Sequence, residues 1–242
     1  MAQQTATTVR PQLATTPVPR TSPDADWWPP RHDAKLAERD KWLESDKPLR
    51  LVFLGDSITH SWENNETAKQ IWQERYAPYG AMNLGYSGDR TEHVLWRLGA
   101  GPAGEENNEL KGLSPEVVVL MIGTNNTGHR QDPPEATAEG IEAIVTRLHE
   151  ISPQTHVLLL GVFPRGVEPD DPLRQINTAI NDQIAALGER DGVTYVDIGA
   201  AFLDDSGVLS PEIMPDALHP NDKGYELWAD AIAQHLRLLL GG

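Results

Sequence analysis

The sequence predicts an α/β protein built as a three-layer α/β/α sandwich around a central parallel sheet of about five strands. Three observations carry this prediction. Short apolar runs recur at residues 49–54, 82–84, 117–122, 157–162 and 193–198, each ending near glycine or polar residues. Segments of helical periodicity lie between them, so strand and helix alternate. The runs are apolar without alternation, as in Val117-Val118-Val119-Leu120-Met121-Ile122, which is the pattern of parallel strands covered by helices on both faces.

Taken in order, residues 1–24 read as a flexible leader rich in Thr, Pro and Ala, with no acidic residue before Asp24. One domain, 25–242, follows. Residues 31–43 have helical character, with Leu36, Trp42 and Leu43 as apolar anchors, and Pro48 separates them from the first strand. Further helices are expected over 66–76, 91–98, 134–151, 172–190 and 222–240. The segment 134–151 shows the pattern: Ile141, Ile144, Val145 and Leu148 recur at three- and four-residue steps, while Glu139, Glu142 and Arg147 fall elsewhere. The order is flavodoxin-like, and in such sheets ligands bind outside the carboxyl ends of the strands. Ser57, the loop from Gly85 to Gly88 and Asn125 would all emerge there.

Composition excludes several function classes. A chain of 242 residues with a formal net charge of -16 and no basic stripe would be repelled by nucleic acid. No apolar run is long enough to cross a bilayer, and the amino terminus lacks an intact signal peptide. Without cysteine there is no disulfide framework, thiolate metal site or cysteine nucleophile. The leader fits a segment left after removal of an export signal, so an exported protein is preferred to a cytoplasmic one.

The chemistry gathers around Ser57, where an apolar strand stops and a helix begins. A serine hydroxyl needs a base to accept its proton and a group to orient that base. Of eight histidines, His219 is best placed, because Asp216 precedes it by three residues and Pro215 and Pro220 bracket the pair as a loop. Such a spacing alone is also common in surface loops. A tetrahedral intermediate further needs donors where negative charge develops. The Ser57 N–H, the Gly88 N–H and the Asn125 side-chain amide are the three candidates, each also explicable singly as a helix start, a tight turn and a loop cap.

Together, Gly55-Asp56-Ser57-Ile58, Gly88, Gly123-Thr124-Asn125 and Asp216-x-x-His219 resemble, in order, the four blocks of the SGNH, or GDSL-type, hydrolases. The resemblance runs from about Trp27 to the carboxyl end. Residues 83–98, 118–126, 162–166 and 172–177 are similar to the catalytic subunits of platelet-activating factor acetylhydrolase and their bacterial relatives. It implies the SGNH hydrolase fold and a cofactor-independent serine esterase removing acetyl or other short acyl groups. Ser57 is then nucleophile, His219 base and Asp216 orienter, with Ser57, Gly88 and Asn125 as oxyanion hole. The third block reads Gly-Thr-Asn-Asn instead of the wider family's Gly-x-Asn-Asp, and no G-x-S-x-G elbow surrounds Ser57. Carbohydrate esters of the acetylxylan type are the preferred substrates. Platelet-activating-factor-like lipid esters, or a non-catalytic interaction subunit of the same fold, are the alternatives. A homodimer packing through residues 27–43 is expected from the related subunits.

Other residues read as structural. Asp56 is expected to cap the helix that Ser57 begins, and among the tryptophans only Trp62, close after Ser57, is a candidate for the pocket. His60 and His93 have no carboxylate partner at useful spacing and are expected to be solvated or structural. Asp216 and His219 have no further ligands to complete a metal site.

Overall fold

The computed structural model describes residues 13–241. Strands β1 (Leu51–Gly55), β2 (Ala81–Gly85), β3 (Val117–Met121), β4 (His156–Leu160) and β5 (Val193–Val196) form one sheet in the order β2-β1-β3-β4-β5. All the pairings are parallel. From β1 the chain winds out to β2 and then returns past β1 to β3, so the winding reverses between β1 and β3. The crevice beyond their carboxyl ends is where such sheets hold ligands.

Alternate strand residues feed two cores. Val52, Leu54, Met82, Leu84, Val118, Leu120, Val157 and Leu159 meet α4 (Thr91–Arg97), α5 (Pro134–Ile151) and α6 (Pro172–Ile184) through Val94, Ile141, Ile144, Leu148 and Ile180. Leu51, Phe53, Val117, Val119, Met121, Leu158 and Leu160 meet α3 (Glu66–Ile71) and α7 (Asp222–Leu240) through Ile71, Trp228, Ile232 and Leu236. Burial on both faces explains why β1 and β3 are apolar without alternation.

Boundaries differ from expectation where local chemistry intervenes. Helix α1 (Trp28–Leu43) begins three residues earlier than 31, because Pro29 and Pro30 occupy its first turn, where a missing N–H costs nothing. Helix α3 ends at Ile71 and continues as a wider π-type turn, Trp72–Tyr76. Both Trp72 and Tyr76 pack on the Phe53 ring there, at 5.2 and 4.7 Å between centroids. Helix α6 stops at Ile184, short of 190, and a tight 3-10 turn follows.

The expected leader needs a correction over its second half, its residues 1–12 lying outside the described residues. Residues 13–24 form a strap against the domain. Ala14 is fully buried and its carbonyl accepts the Thr91 hydroxyl at 2.8 Å. The Val18 N–H donates to the Glu92 carbonyl at 3.3 Å, and Arg20 donates to the Ser87 carbonyl. Prolines 17, 19 and 23 reduce the entropy that ordering this segment removes. Gly140 makes room for it, since a Cβ there would lie 2.8 Å from the Ala14 oxygen.

Candidate active site

Strand β1 delivers Ser57 to the crevice as the first residue of a four-residue helix, α2 (Ser57–His60). Asp56 caps it, its carboxylate accepting the Ile58 N–H at 3.0 Å. On the opposite side of the crevice, the loop before α7 is tied into a turn by Asp216. One carboxylate oxygen accepts the N–H groups of Leu218 and His219 at 3.1 and 2.7 Å. The other accepts from His219 Nδ1 at 2.6 Å. Ala217, between them, adopts a left-handed φ of 56°, a strain of about 1–2 kcal/mol for a residue with a Cβ.

The His219 ring completes the link, with Nε2 2.9 Å from Ser57 Oγ. An ionised carboxylate only accepts hydrogen bonds, so Nδ1 carries the hydrogen and Nε2 is left as the acceptor for the serine hydroxyl. Burial alone would raise the Asp216 pKa. Hydrogen bonds from the His219 ring and backbone outweigh it and hold the carboxyl below its ordinary value. The pair is open to solvent, with the side chains of Asp216 and His219 56% and 40% exposed.

Past β2 the chain turns at Tyr86–Asp89, where the Asp89 N–H donates to the Tyr86 carbonyl at 3.0 Å. Gly88 takes a φ of 75° in this turn, and a Cβ there would strike Arg20 Nη1 at 1.8 Å. Past β3, Asn125 Nδ2 donates one hydrogen to the Asp89 carbonyl at 2.9 Å. An amide nitrogen carries two hydrogens, and the Asp89 carbonyl takes one of them. Ser57, Gly88, Asn125 and His219 line one cavity of about 550 Å³, together with Arg20, Asp24, Trp27, Ser61, Ser87, His129 and Leu218. The structure thus brings four of the five expected residues to one cavity and sets Asp216 behind His219.

A buried ionic network holds the Gly88 turn from behind. Asp89 accepts from Trp28 Nε1 at 2.7 Å and from Arg97 Nε at 2.9 Å. Arg97, with no exposed side-chain surface, also bonds Glu109 at 2.5 Å and the Leu84 carbonyl at 3.2 Å, and stacks on Tyr86 with its guanidinium carbon 3.8 Å from the ring centroid. Glu109 in turn bonds His32 at 2.9 Å and the Tyr86 hydroxyl. Arg97→Met would leave two buried carboxylates without their cation. We expect it to lower unfolding stability by about 3–5 kcal/mol in urea titration; a change below about 1 kcal/mol would mean that the network carries little of the fold.

Asp56 carries a second expectation. It is fully buried, and burial pushes its carboxyl up to about 7, helped by the Asp89 charge and opposed by the Ile58 hydrogen bond and Arg165. Between its ordinary value of 3.8 and about 7 the folded state holds more protons at this group than the unfolded state, so its contribution to stability falls as pH rises through that window. An asparagine in its place would cap the helix without ionising. Asp56→Asn should therefore gain on the wild type by up to about 4 kcal/mol between pH 4 and pH 8, as read from denaturant unfolding; a pH-independent difference would contradict a buried, titrating Asp56.

Trp62 and His93 fall differently from expectation, while His60 takes one of the two places expected of it. Trp62 is core, in edge contact with Phe53 and Tyr225, and it is Trp27 that lines the cavity. His60 is structural: its Nδ1 accepts the Ser87 N–H at 3.3 Å, and burial together with Arg31 lowers its pKa to about 4. His93 does have a carboxylate neighbour, Asp89, at 3.6 Å. Sequence reasoning missed Arg20 and His129. His129 stands one helical turn after Asn125, the only available hint, and Arg20 sits in a segment without periodicity. No helix among the described residues is long and apolar enough to cross a membrane.

Comparison with known proteins gives the family of the chain. The GDSL-like Lipase/Acylhydrolase family model matches residues 53–227. The platelet-activating factor acetylhydrolase IB subunit alpha1 of Bos taurus is 37% identical over 216 residues, covering 89% of this chain and 84% of that protein. The alpha2 subunit of Rattus norvegicus is 36% identical over 196 residues, covering 77% and 79%. Among solved structures, a putative platelet activating factor from Streptococcus pneumonia superposes with a TM-score of 0.66 at 20% identity, covering 87% of this chain and 95% of that one. Axe2, an acetylxylan esterase from Geobacillus stearothermophilus, superposes with a TM-score of 0.61 at 21% identity, covering 81% and 95%. With the family model spanning most of the domain and relatives at 36% and 37% identity, the chain belongs to the GDSL-like lipase/acylhydrolase family.

Proposed function

We propose that this protein is a serine esterase that removes acetyl or other short acyl groups from a polar alcohol, in the manner of a carbohydrate esterase. The observation that carries the reading is the unbroken hydrogen-bond chain from Ser57 Oγ through the His219 ring to Asp216, opening on the cavity. Ser57 Oγ attacks the ester carbonyl while its proton passes to His219 Nε2. The negative charge forming on the carbonyl oxygen is met by the Ser57 and Gly88 N–H groups and the second Asn125 amide hydrogen. As the intermediate collapses, the C–O bond to the alcohol breaks and the alcohol oxygen takes the proton from His219. Water then attacks the acyl-serine, losing its proton to His219, and Ser57 leaves with that proton as the short acid is released. Asn125→Ala should lower kcat by about 10²–10³-fold with little change in KM, measured on an activated acetyl ester; an equal rate would remove Asn125 from this role.

The cavity lining supports the substrate class. Ser61, Ser87, His129, Arg20 and Asp24 offer hydrogen bonds, and the apolar surface is that of Trp27 and Leu218. A sugar ring suits such a wall, with one aromatic face to stack on and polar groups around it. A long acyl chain finds no continuous apolar channel among these residues. The structural likeness to an acetylxylan esterase points the same way, while the identity to acetylhydrolase subunits favours a short-acyl lipid ester as the second reading. Rates on a chain-length series of 4-nitrophenyl esters, beside acetylated xylan and a 2-acetyl phospholipid, decide between them. Fast release from acetylated xylan and acetyl ester is expected; a preference for long acyl chains or for the phospholipid would overturn the carbohydrate reading.

A further inference from the structure

A second cavity, of about 690 Å³, adjoins the catalytic one and shares Arg20, Asp24 and His129 with it. Its outer wall is the 13–24 strap, through Val18, Pro19, Thr21 and Ser22, and its inner wall carries Arg90 and His93. The shared lining places this second cavity, with Arg90 on its wall, beside the cavity that holds Ser57. Cations converge here although the whole chain has a net charge of -16.

The charges are arranged unequally between wall and background. Arg90 is gripped by Glu92 at 2.7 Å, and Glu92 is shared with Arg130, which also holds Asp132. The side chains of Glu92 and Asp132 are 1% exposed and line neither cavity. Glu92 holds Arg90 at Nε, Asp132 holds Arg130 behind it, and Arg90 Nη2 lies 3.3 Å from Nε2 of the lining His93. Arg20 is held by the Ser87 carbonyl and Ser22, and its carboxylate partner Asp24 is 73% exposed, so an incoming anion displaces only a weak surface pair. The lining histidines lie within the field of these cations. Burial, then Arg90 and Arg20, lower the pKa of both His129 and His93, against the opposing pull of Asp24 at His129. Both ring nitrogens of His93 face Arg90, at 3.1 and 3.3 Å, so of the two rings it is His129 that can offer a hydrogen bond to a ligand.

Resting on the esterase reading for its position next to Ser57, we propose that this second cavity receives an anionic group, a carboxylate or phosphate, borne by the alcohol part of the substrate, with Arg20 and Arg90 as its cations. An acidic sugar and a phosphorylated polyol present the same chemistry. Calorimetric titration separates them and needs no turnover: D-glucuronate against D-glucose, and glycerol 3-phosphate against glycerol. At least one charged compound should bind about tenfold or more tightly than its neutral counterpart, the value of one charge-assisted bond. Arg90→Gln and Arg20→Gln should each remove most of that advantage, and added salt should erode it. Equal affinity of charged and neutral compounds, absence of binding by all four, or an advantage untouched in both variants would overturn the proposal. Anion binding by a protein that does not cleave 4-nitrophenyl acetate would sink the esterase reading alone; cleavage without anion preference would sink the subsite alone.

Discussion

Ser57→Ala should abolish hydrolysis of activated acetyl esters, with kcat falling by about 10⁴-fold or more. The size follows from what the variant keeps. His219, Asp216 and the oxyanion donors stay in place, so a bound ester is still polarised, but no acyl-serine forms and water must attack directly from an unprepared position. The Ser57 backbone N–H survives the substitution, because residue 57 remains the first residue of α2 behind its Asp56 cap. Folding should be unaffected, since Ser57 is only partly buried and, among the described residues, its hydroxyl bonds only His219. Initial rates by pH-stat, with circular dichroism as the check on folding, decide the matter. A variant within about tenfold of the wild type would remove Ser57 from the centre of the chemistry.

Asp216→Asn carries the second large effect, a fall in kcat of about 10²–10⁴-fold with KM little changed. An asparagine keeps the oxygen that accepts the Leu218 and His219 N–H groups, so the turn around Ala217 survives. What changes is the atom facing His219 Nδ1. If the amide nitrogen takes that place, Nδ1 must become the acceptor and Nε2 carries the hydrogen, so the ring can no longer take the proton from Ser57 Oγ. The lower part of the range reflects the exposure of this pair, which lets water compete for the ring. Steady-state kinetics that showed less than about a threefold loss would mean that His219 is oriented by other groups.

Much of this fold was legible in the sequence because its strands are buried on both sides. A run such as Val117–Met121 can be apolar throughout only where helices cover both faces, and the alternation of such runs with periodic helices fixes a parallel sheet. The placement of Ser57, Gly88 and Asn125 followed from that, since each stands just past the end of β1, β2 or β3. The strap was not legible. Its attachment depends on single contacts, such as Ala14 in the space above Gly140 and Arg20 on a backbone carbonyl, which leave no periodic trace and a composition that reads as a tail.

The ionic network around Arg97 was equally hidden. Residues 91–98 read as an ordinary amphipathic helix, and nothing in their spacing says that a guanidinium will be fully buried between Asp89 and Glu109. Tryptophans misled in the same way. Trp62 is two positions beyond α2 yet points into the core against Tyr225, whereas Trp27, thirty residues before Ser57, reaches the cavity by way of the strap and α1. Proximity in sequence is a poor guide wherever a short helix turns successive side chains to opposite sides.

The proposed nucleophile is tested most directly by covalent capture. Incubation of the intact protein with a fluorophosphonate, followed by peptide mass spectrometry, should add one phosphonyl group per chain on the peptide containing Ser57. Labelling should be absent from Ser57→Ala and strongly slowed in His219→Ala, because an unassisted serine hydroxyl reacts poorly at neutral pH. Failure of the folded protein to label, or stoichiometric labelling at another residue with Ser57 unmodified, would contradict an acyl-accepting Ser57.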